Sequence, residues 1–291
     1  LVLNLEVTVV PVSAVLAGME GKGTLNEPYL VATRADLKNL AAYVNQTGDA
    51  EFYVKQTADI DMTGVPMKPI GTEEHPFCGS YDGDSHTITL DINSEKEGEN
   101  ALFGTIDNEA FILNLNIAGT INTTAKYAGS LVSRVGNGTI RYCNSTATIN
   151  AYVDGEAAVG GLVGTVNGFA IITDCAFAGC INKGYADTKG IGGLVGKNAE
   201  NATIHFQNCY VAGTHTAIFD DAISGGSTEG VEVTNTFYLY TITDHNSNGA
   251  TAVSASDFAW GKVCYQLNDG HKTWRQTLGT DQLPVLDDSH E

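Results

Sequence analysis

Between residues 100 and 240, short apolar runs recur at an interval that no amphipathic helix explains. Leu102-Phe103-Gly104, Leu131-Val132-Ser133, Leu162-Val163-Gly164 and Leu194-Val195-Gly196 are echoed by Ile223-Ser224-Gly225, at steps of 29 to 32 residues. A second apolar point follows each landmark, at Ile112, Ile140, Ile172, Ile204, and Val231 or Val233. Small or aromatic positions come next, at Leu115, Cys143, Cys175, Cys209, and Thr236 before Phe237. A third apolar point stands at Ile121, Ile149 and Ile181. Gly, Asn and Thr separate these points, so each unit reads as about three short strands.

No such strand buries a face alone. Stacking the units solves this, because like residues of successive coils then lie ~4.8 Å apart and fill one interior. Each interior Leu or Ile contributes roughly 1.5–3 kcal/mol by leaving water. A sandwich needs no fixed period with the same residue types returning, and the spacing is not helical. The pattern therefore predicts an all-β chain, a right-handed parallel β-helix (β-solenoid), the hand following the usual rule for parallel crossovers.

Stacked coils leave unpaired edges at both ends, and the flanks read as covers for them. Thr33-Arg34-Ala35-Asp36 resembles a capping box, and Leu37, Leu40, Ala41 and Val44 recur at helical spacing, predicting a helix near residues 34–46. Phe52-Tyr53-Val54 reads as a strand. At the far end Ser254 or Ser256 caps a helix running through Phe258, Val263 and Leu267, and Trp274 to Leu278 reads as a last strand. The expected division is 1–27, a leader strand and linker; 28–99, an N-terminal cap and first coils; 100–240, the repeats; and 241–291, a C-terminal cap with short helices. The segment Leu1 to Ala17 is apolar but lacks a basic start, so it reads as a strand rather than a signal peptide.

Composition narrows the function classes. The chain has 291 residues, with 15 Lys and Arg against 34 Asp and Glu, a formal charge of −19. An acidic surface without clustered bases works against nucleic acid. No run of ~18 apolar residues offers a membrane span. The six cysteines, Cys78, Cys143, Cys175, Cys180, Cys209 and Cys264, form no Cys-x-x-Cys pair, and three of them occupy one position of the repeat. That favours buried free thiols over bridges or a zinc site.

Gly160-Gly161-Leu162-Val163-Gly164 and Gly192-Gly193-Leu194-Val195-Gly196, each leading to Ile-x-x-Cys or its variant, resemble the GLUG motif of bacterial secreted and surface proteins. Members of that group include immunoglobulin A-cleaving metalloproteases and adhesin-like proteins. The flank is similar to the segment that precedes such repeats, at Thr57 to Met62, Pro69-Ile70-Gly71 and Phe77 to Ile88. The tail resembles their ending, at Cys264 to Asn268, Trp274 to Asp281 and Pro284 to Leu286. The resemblance spans roughly residues 28–287. It implies a surface-located β-helical module, one part of a larger adhesive protein, and it carries over no catalytic residue. Ser133 replaces the last Gly of the motif, and the copy at Ala222 to Gly225 is eroded.

Reactive constellations are sparse. The chain has no His-Glu-x-x-His, no Gly-x-Ser-x-Gly and no Gly-x-x-x-x-Gly-Lys. His205 precedes Cys209 by four residues, but a Cys on the repeat strand faces inward. Asp59 with Asp61, Asp82 with Asp84, and Asp220 with Asp221 could bind calcium or serve as acid and base. Turn capping and solvation are the expected roles of these pairs. Phe237, Tyr238, Tyr240, Trp260 and Trp274 could meet a sugar ring or a protein, and more often seal a cap. Asn-x-Thr matches at Asn45, Asn122, Asn137, Asn144 and Asn201 read as turn chemistry.

The sequence thus predicts a non-enzymatic, secreted or cell-surface, adhesin-like binding module or rigid spacer, with no cofactor, no metal and no assigned catalytic residue. Its expected partner is a glycan or a host or matrix protein, not nucleic acid. The alternative is a β-helical polysaccharide lyase or glycoside hydrolase using paired Asp residues.

Overall fold

The computed structural model describes Leu16 and residues 18–48, 50–94, 98–215, 219–243, 247 and 249–290. The expected leader strand, Leu1 to Ala17, lies outside the described residues except for Leu16.

Successive coils stack into three parallel sheets. The first runs Tyr29–Val31, Tyr53–Gln56, Ser80–Asp82, Ala110–Leu113, Val132–Arg141, Val163–Thr173, Thr203–Gln207 and Val231–Thr234. Phe103–Ile106 joins it beside Val132–Arg141, and Val195–Asn198 beside Val163–Thr173. A short second sheet stacks Glu99–Asn100, Tyr127–Ala128, Glu156–Gly160 and Lys189–Gly192. The third carries the Ile121, Ile149 and Ile181 row in register. The fold is a β-solenoid.

The landmark leucines stack as the period requires. Leu131 N–H donates to Leu162 O, Leu162 N–H to Leu194 O, and Leu194 N–H to Ile223 O, each at 3.0 Å. All four side chains are fully buried. One main core runs from Leu16 to Ile242, so residues on both sides of position 100 share it.

One row departs from the expected alignment. Ile112, Ile140 and Ile172 stack as read, but Phe206 and Val233 continue them. Ile204 lies instead over Ala170, with Val231 beyond it. A two-residue offset keeps a side chain on the same face of a strand, and both Ile204 and Phe206 are buried.

Gly196 shows why the motif needs glycine beside its Leu-Val pair. A Cβ there would stand 2.2 Å from Val159 N and 2.4 Å from Ala158 C, so the second sheet's backbone lies directly against it. Ser133, in the same row, puts its hydroxyl to use: it donates to Tyr127 O at 2.9 Å and accepts from Asn100 N–H at 3.0 Å. The substitution thus ties the two sheets together where its neighbours in the row merely let them approach.

The N-terminal helix forms as Arg34–Thr47. Thr33 Oγ1 accepts from Asp36 N–H at 3.2 Å, and Asp36 Oδ2 accepts from Thr33 N–H at 3.0 Å, completing the capping box. Leu37, Leu40, Ala41 and Val44 enter the main core. At the far end Ser254 caps as expected, but two short helices form, Ala255–Ala259 and Lys262–Asn268. Between them Gly261 takes φ 78°, a left-handed conformation that an uninterrupted helix does not contain. The expected strand from Trp274 to Leu278 reduces to one antiparallel bridge, Arg275 with Val285.

Substitution Gly196→Ala is expected to lower unfolding free energy by about 1–3 kcal/mol or more, because its Cβ meets backbone that no rotamer change relieves. Gly98→Ala, with nothing within 4 Å, is the control and should stay near zero. Denaturant titration of both variants checks this; equal effects would refute the close-approach account.

Candidate binding groove along the coil corner

The corner into the third sheet is built by a repeated pair. A residue at positive φ, namely Asn114, Tyr142, Asp174, Asn208 or Asn235, precedes an inward side chain, namely Leu115, Cys143, Cys175, Cys209 or Thr236. Asn and Asp tolerate this conformation better than most residues. Their amides link the corners: Asn114 Nδ2 donates to Asp82 Oδ1 at 2.9 Å, Asn208 Nδ2 to Asp174 Oδ1 at 3.2 Å, and Asn235 Nδ2 to Asn208 Oδ1 at 2.8 Å. A second ladder, Asn93, Asn122, Asn150 and Asn182, runs along the third sheet at 2.6–2.8 Å.

The thiols sit inside this corner. The Sγ–H groups of Cys143, Cys175 and Cys209 lie 3.2–3.3 Å from the carbonyls of Arg141, Thr173 and Gln207, two residues back. Thr236 keeps the geometry with its hydroxyl, donating to Thr234 O at 2.9 Å. Burial pushes the Cys209 thiol up to about 12. It raises Cys175 well above the ordinary range too, with Cys143 adding to the shift. All six cysteines are free. His205, four residues before Cys209, instead faces outward against Glu232 at 3.3 Å and the Phe169 ring at 5.2 Å.

Outside the thiol row, one outward row changes character. Asn116 and Asn144 stack in register and give way to Ala176, Tyr210 and Phe237. The three apolar members form a second core with Phe258, Val263, Leu267 and Trp274. Tyr210 packs on Phe258 and Trp274 with ring centroids 5.4 and 5.3 Å away, and its hydroxyl donates to Pro284 O at 2.7 Å. The C-terminal segment therefore packs against the outer side of the third sheet.

Where the row turns polar, that segment stands over it and leaves a groove of about 700 Å³. Ser85, Asn114, Asn116, Tyr142 and Asn144 line one side; Lys272, Thr273, Asp287, Asp288 and His290 line the other. Asn116 Nδ2 donates to Ser85 O, which leaves its amide oxygen for the groove, whereas Asn144 Oδ1 is buried with no partner among the described residues. The Arg141 guanidinium lies 4.5 Å from the centre of the Tyr142 ring. Amides, one aromatic ring, a lysine and carboxylates suit a hydroxyl-rich or polypeptide ligand.

The paired acids are not brought together as a reactive set. Asp59 Oδ1 accepts from Thr87 N–H at 2.8 Å, and Asp61 pairs with Arg34 at 3.3 Å. Thr63, through its side chain and its backbone N–H, holds the Asp61 carboxyl below its ordinary range. Asp82 accepts from Asp84 N–H at 2.9 Å, and Asp84 meets Lys55 at 3.0 Å. Asp220 accepts from Ile191 N–H at 2.9 Å; Asp221 accepts from Ile223 and Ser224 N–H at 2.7 and 3.1 Å. Among the described residues no group of three or more His, Cys, Asp or Glu side chains gathers as a metal site.

Of the aromatic candidates, Phe237, Tyr238 and Trp274 are buried, while Tyr240 and Trp260 are exposed. Asn45 bonds Pro69 O and Gly71 N–H, and Asn137 bonds Asp107 and Phe169 N–H, so both serve the frame. Sequence reasoning missed Tyr142, Lys272 and His290. Its usable signal was the outward row, where Asn changes to Ala, Tyr and Phe.

Residues 124–150 match the family model described as the GLUG motif. The chain is 31% identical to Halomucin of Haloquadratum walsbyi over 57% of its own length and 2% of that protein. It is 32% identical to a "Putative Gly-rich membrane protein" of Evansella cellulosilytica over 37% of its length and 12% of that protein. It thus spans a small part of either relative. A crystal structure described as a "putative immunoglobulin A1 protease" from Bacteroides ovatus superposes with a TM-score of 0.67, covering 92% of this chain and 94% of that one at 19% identity. That likeness is one of fold. Among the described residues no helix is long and apolar enough to cross a membrane.

Native protein should protect Cys143, Cys175 and Cys209 from iodoacetamide, with labelling appearing only on unfolding. Mass spectrometry reads this, and rapid native labelling of Cys209 would contradict its place inside. The groove's outer wall is expected to respond to pH. His290 Nδ1 lies 2.6 Å from Asp281 Oδ2, and that hydrogen bond raises the His290 pKa and lowers that of Asp281, with Asp287 adding to the His290 shift. The His290 contribution is full below its ordinary 6.5 and lost as pH rises through its folded value. The Asp281 contribution is present above 3.8 and lost as pH falls through its folded value. Hydrogen exchange over 281–290, corrected for intrinsic rates, should therefore quicken as pH rises above 6.5 through the raised His290 value. Unchanged exchange would refute a stabilising role for the His290–Asp281 pair.

Proposed function

Taking as premise a β-solenoid that carries the GLUG motif, we propose that the chain is a non-enzymatic binding module displayed on the cell surface or secreted, one part of a larger protein. The polar groove beneath the C-terminal segment carries this reading. There the outward row keeps its amides, Asn116 and Asn144, and Tyr142 and Lys272 stand with them in the lining. The names of the relatives, a halomucin and a Gly-rich membrane protein, favour a location at the cell envelope. The engagement of the paired aspartates by backbone N–H groups and cations supports a binding role over acid–base chemistry.

Glycan arrays and immobilised host matrix proteins test the proposal. Binding to at least one class is expected, weakened about tenfold by Tyr142→Ala combined with Asn144→Leu. Null results on both classes would overturn the binding role and leave a spacer, and measurable polysaccharide cleavage by the same preparation would overturn the non-enzymatic reading.

A further inference from the structure

A second groove, of about 340 Å³, lies on the C-terminal unit itself, within the size range of small-ligand clefts. Trp260, Tyr265 and Leu278 form its rim, and they are 77%, 82% and 64% exposed. Gly261, at the break between the two short helices, lets the Leu278 side chain lie close: a Cβ there would meet Leu278 Cδ2 at 2.7 Å. The two indoles of this unit therefore have opposite fates. Trp274 is 1% exposed and packs on Tyr210, whereas Trp260 packs into neither core.

Two residues of the same lining each hold one buried polar atom with no hydrogen-bond partner among the described residues: Trp274 Nε1, a donor, and Gln276 Oε1, an acceptor. Both residues are more than nine-tenths buried and fixed in place. Asn268 grips the Trp274 backbone twice at 2.8 Å, its Nδ2 donating to the carbonyl and its Oδ1 accepting from the N–H. Gln276 Nε2 donates to Phe258 O at 2.8 Å and Asp281 O at 3.1 Å, which orients the amide and leaves its oxygen unpaired. Unpaired buried donors and acceptors are costly, and a group that both donates and accepts would satisfy the pair. Both atoms are buried, so a ligand reaches them only when the exposed rim turns aside.

We propose that this groove binds a neutral sugar, its C–H face stacked on Trp260 and Tyr265 and its hydroxyls directed toward Trp274 Nε1 and Gln276 Oε1. Charge selects the class. Arg275, the cation in the lining, is already paired with Asp288 at 3.2 Å, and a chain of net charge −19 repels polyanions. The surface-module reading bears on where such a sugar is met, whereas the site's geometry stands apart from it.

The test uses the full chain with soluble β-glucan, galactomannan and maltooligosaccharides as neutral probes, the insoluble polysaccharides as a second arm, and heparin as the acidic control. At least one neutral probe should bind and blue-shift the emission of Trp260, the exposed one of the two tryptophans. Trp260→Ala and Tyr265→Ala should each weaken that binding about tenfold without moving the thermal midpoint. Preference for the soluble or the insoluble arm identifies free sugar or cell-wall polymer as the source. No neutral binding, heparin binding of equal strength, or neutral binding untouched by Trp260→Ala would overturn the proposal. So would a concentration-dependent dimer abolished by Trp260→Ala, which would make a second copy of the chain the occupant. Loss of binding through Tyr142→Ala alone would place the ligand in the polar groove and overturn this site while leaving the proposed function intact.

Discussion

Every feature of this molecule depends on parallel, in-register hydrogen bonding between successive coils. Each coil's backbone donors and acceptors must be met by its neighbours, as in the unbroken chain from Leu131 through Leu162 and Leu194 to Ile223. Once that register is set, a residue shares its environment with its equivalents above and below. A one-residue slip would turn an entire row from the interior to the solvent. The Leu, Ile and Cys rows are therefore consequences of a single pairing, and the close approach at Gly196 is what allows two sheets to be folded against each other within one coil.

Against so regular a frame, departures carry the information. Ser133 and Thr236 each replace the residue typical of their row and satisfy backbone groups of the same local pattern. Other departures are directed outward. Asn116 and Asn144 give way to Ala176, Tyr210 and Phe237, converting a polar row into a docking surface for the C-terminal unit. The polar groove follows from that docking, and the aromatic groove belongs to the docked unit itself. One lies where the segment stands over the row's polar half, the other among the segment's own helices and loops.

Much of the frame was legible in the chain. The Leu-Val landmarks, the inward cysteines and the Thr33–Asp36 capping box are set by local chemistry and a fixed period, so reading them needs no knowledge of distant contacts. The alignment of Ile204 was not legible, because Phe206 alternates onto the same face and corner lengths vary by a residue or two between coils. The break at Gly261 was hidden because glycine in an otherwise helical pattern is compatible with either outcome. Neither groove could be located in advance: the polar one depends on the C-terminal segment lying along the coils, a contact between residues far apart in sequence, and the aromatic one on how the two short helices and the following loop fold together. Trp260 and Trp274 illustrate the point: the same side chain in the same segment is a rim residue in one case and a core residue in the other.

The stacking of coils is tested most directly by nuclear Overhauser contacts between leucine methyl groups in selectively labelled protein. The account predicts cross-peaks linking Leu131 to Leu162 and Leu162 to Leu194, with slow amide exchange at both Leu162 and Leu194. Their absence, together with fast exchange at those amides, would contradict the solenoid and everything built on it.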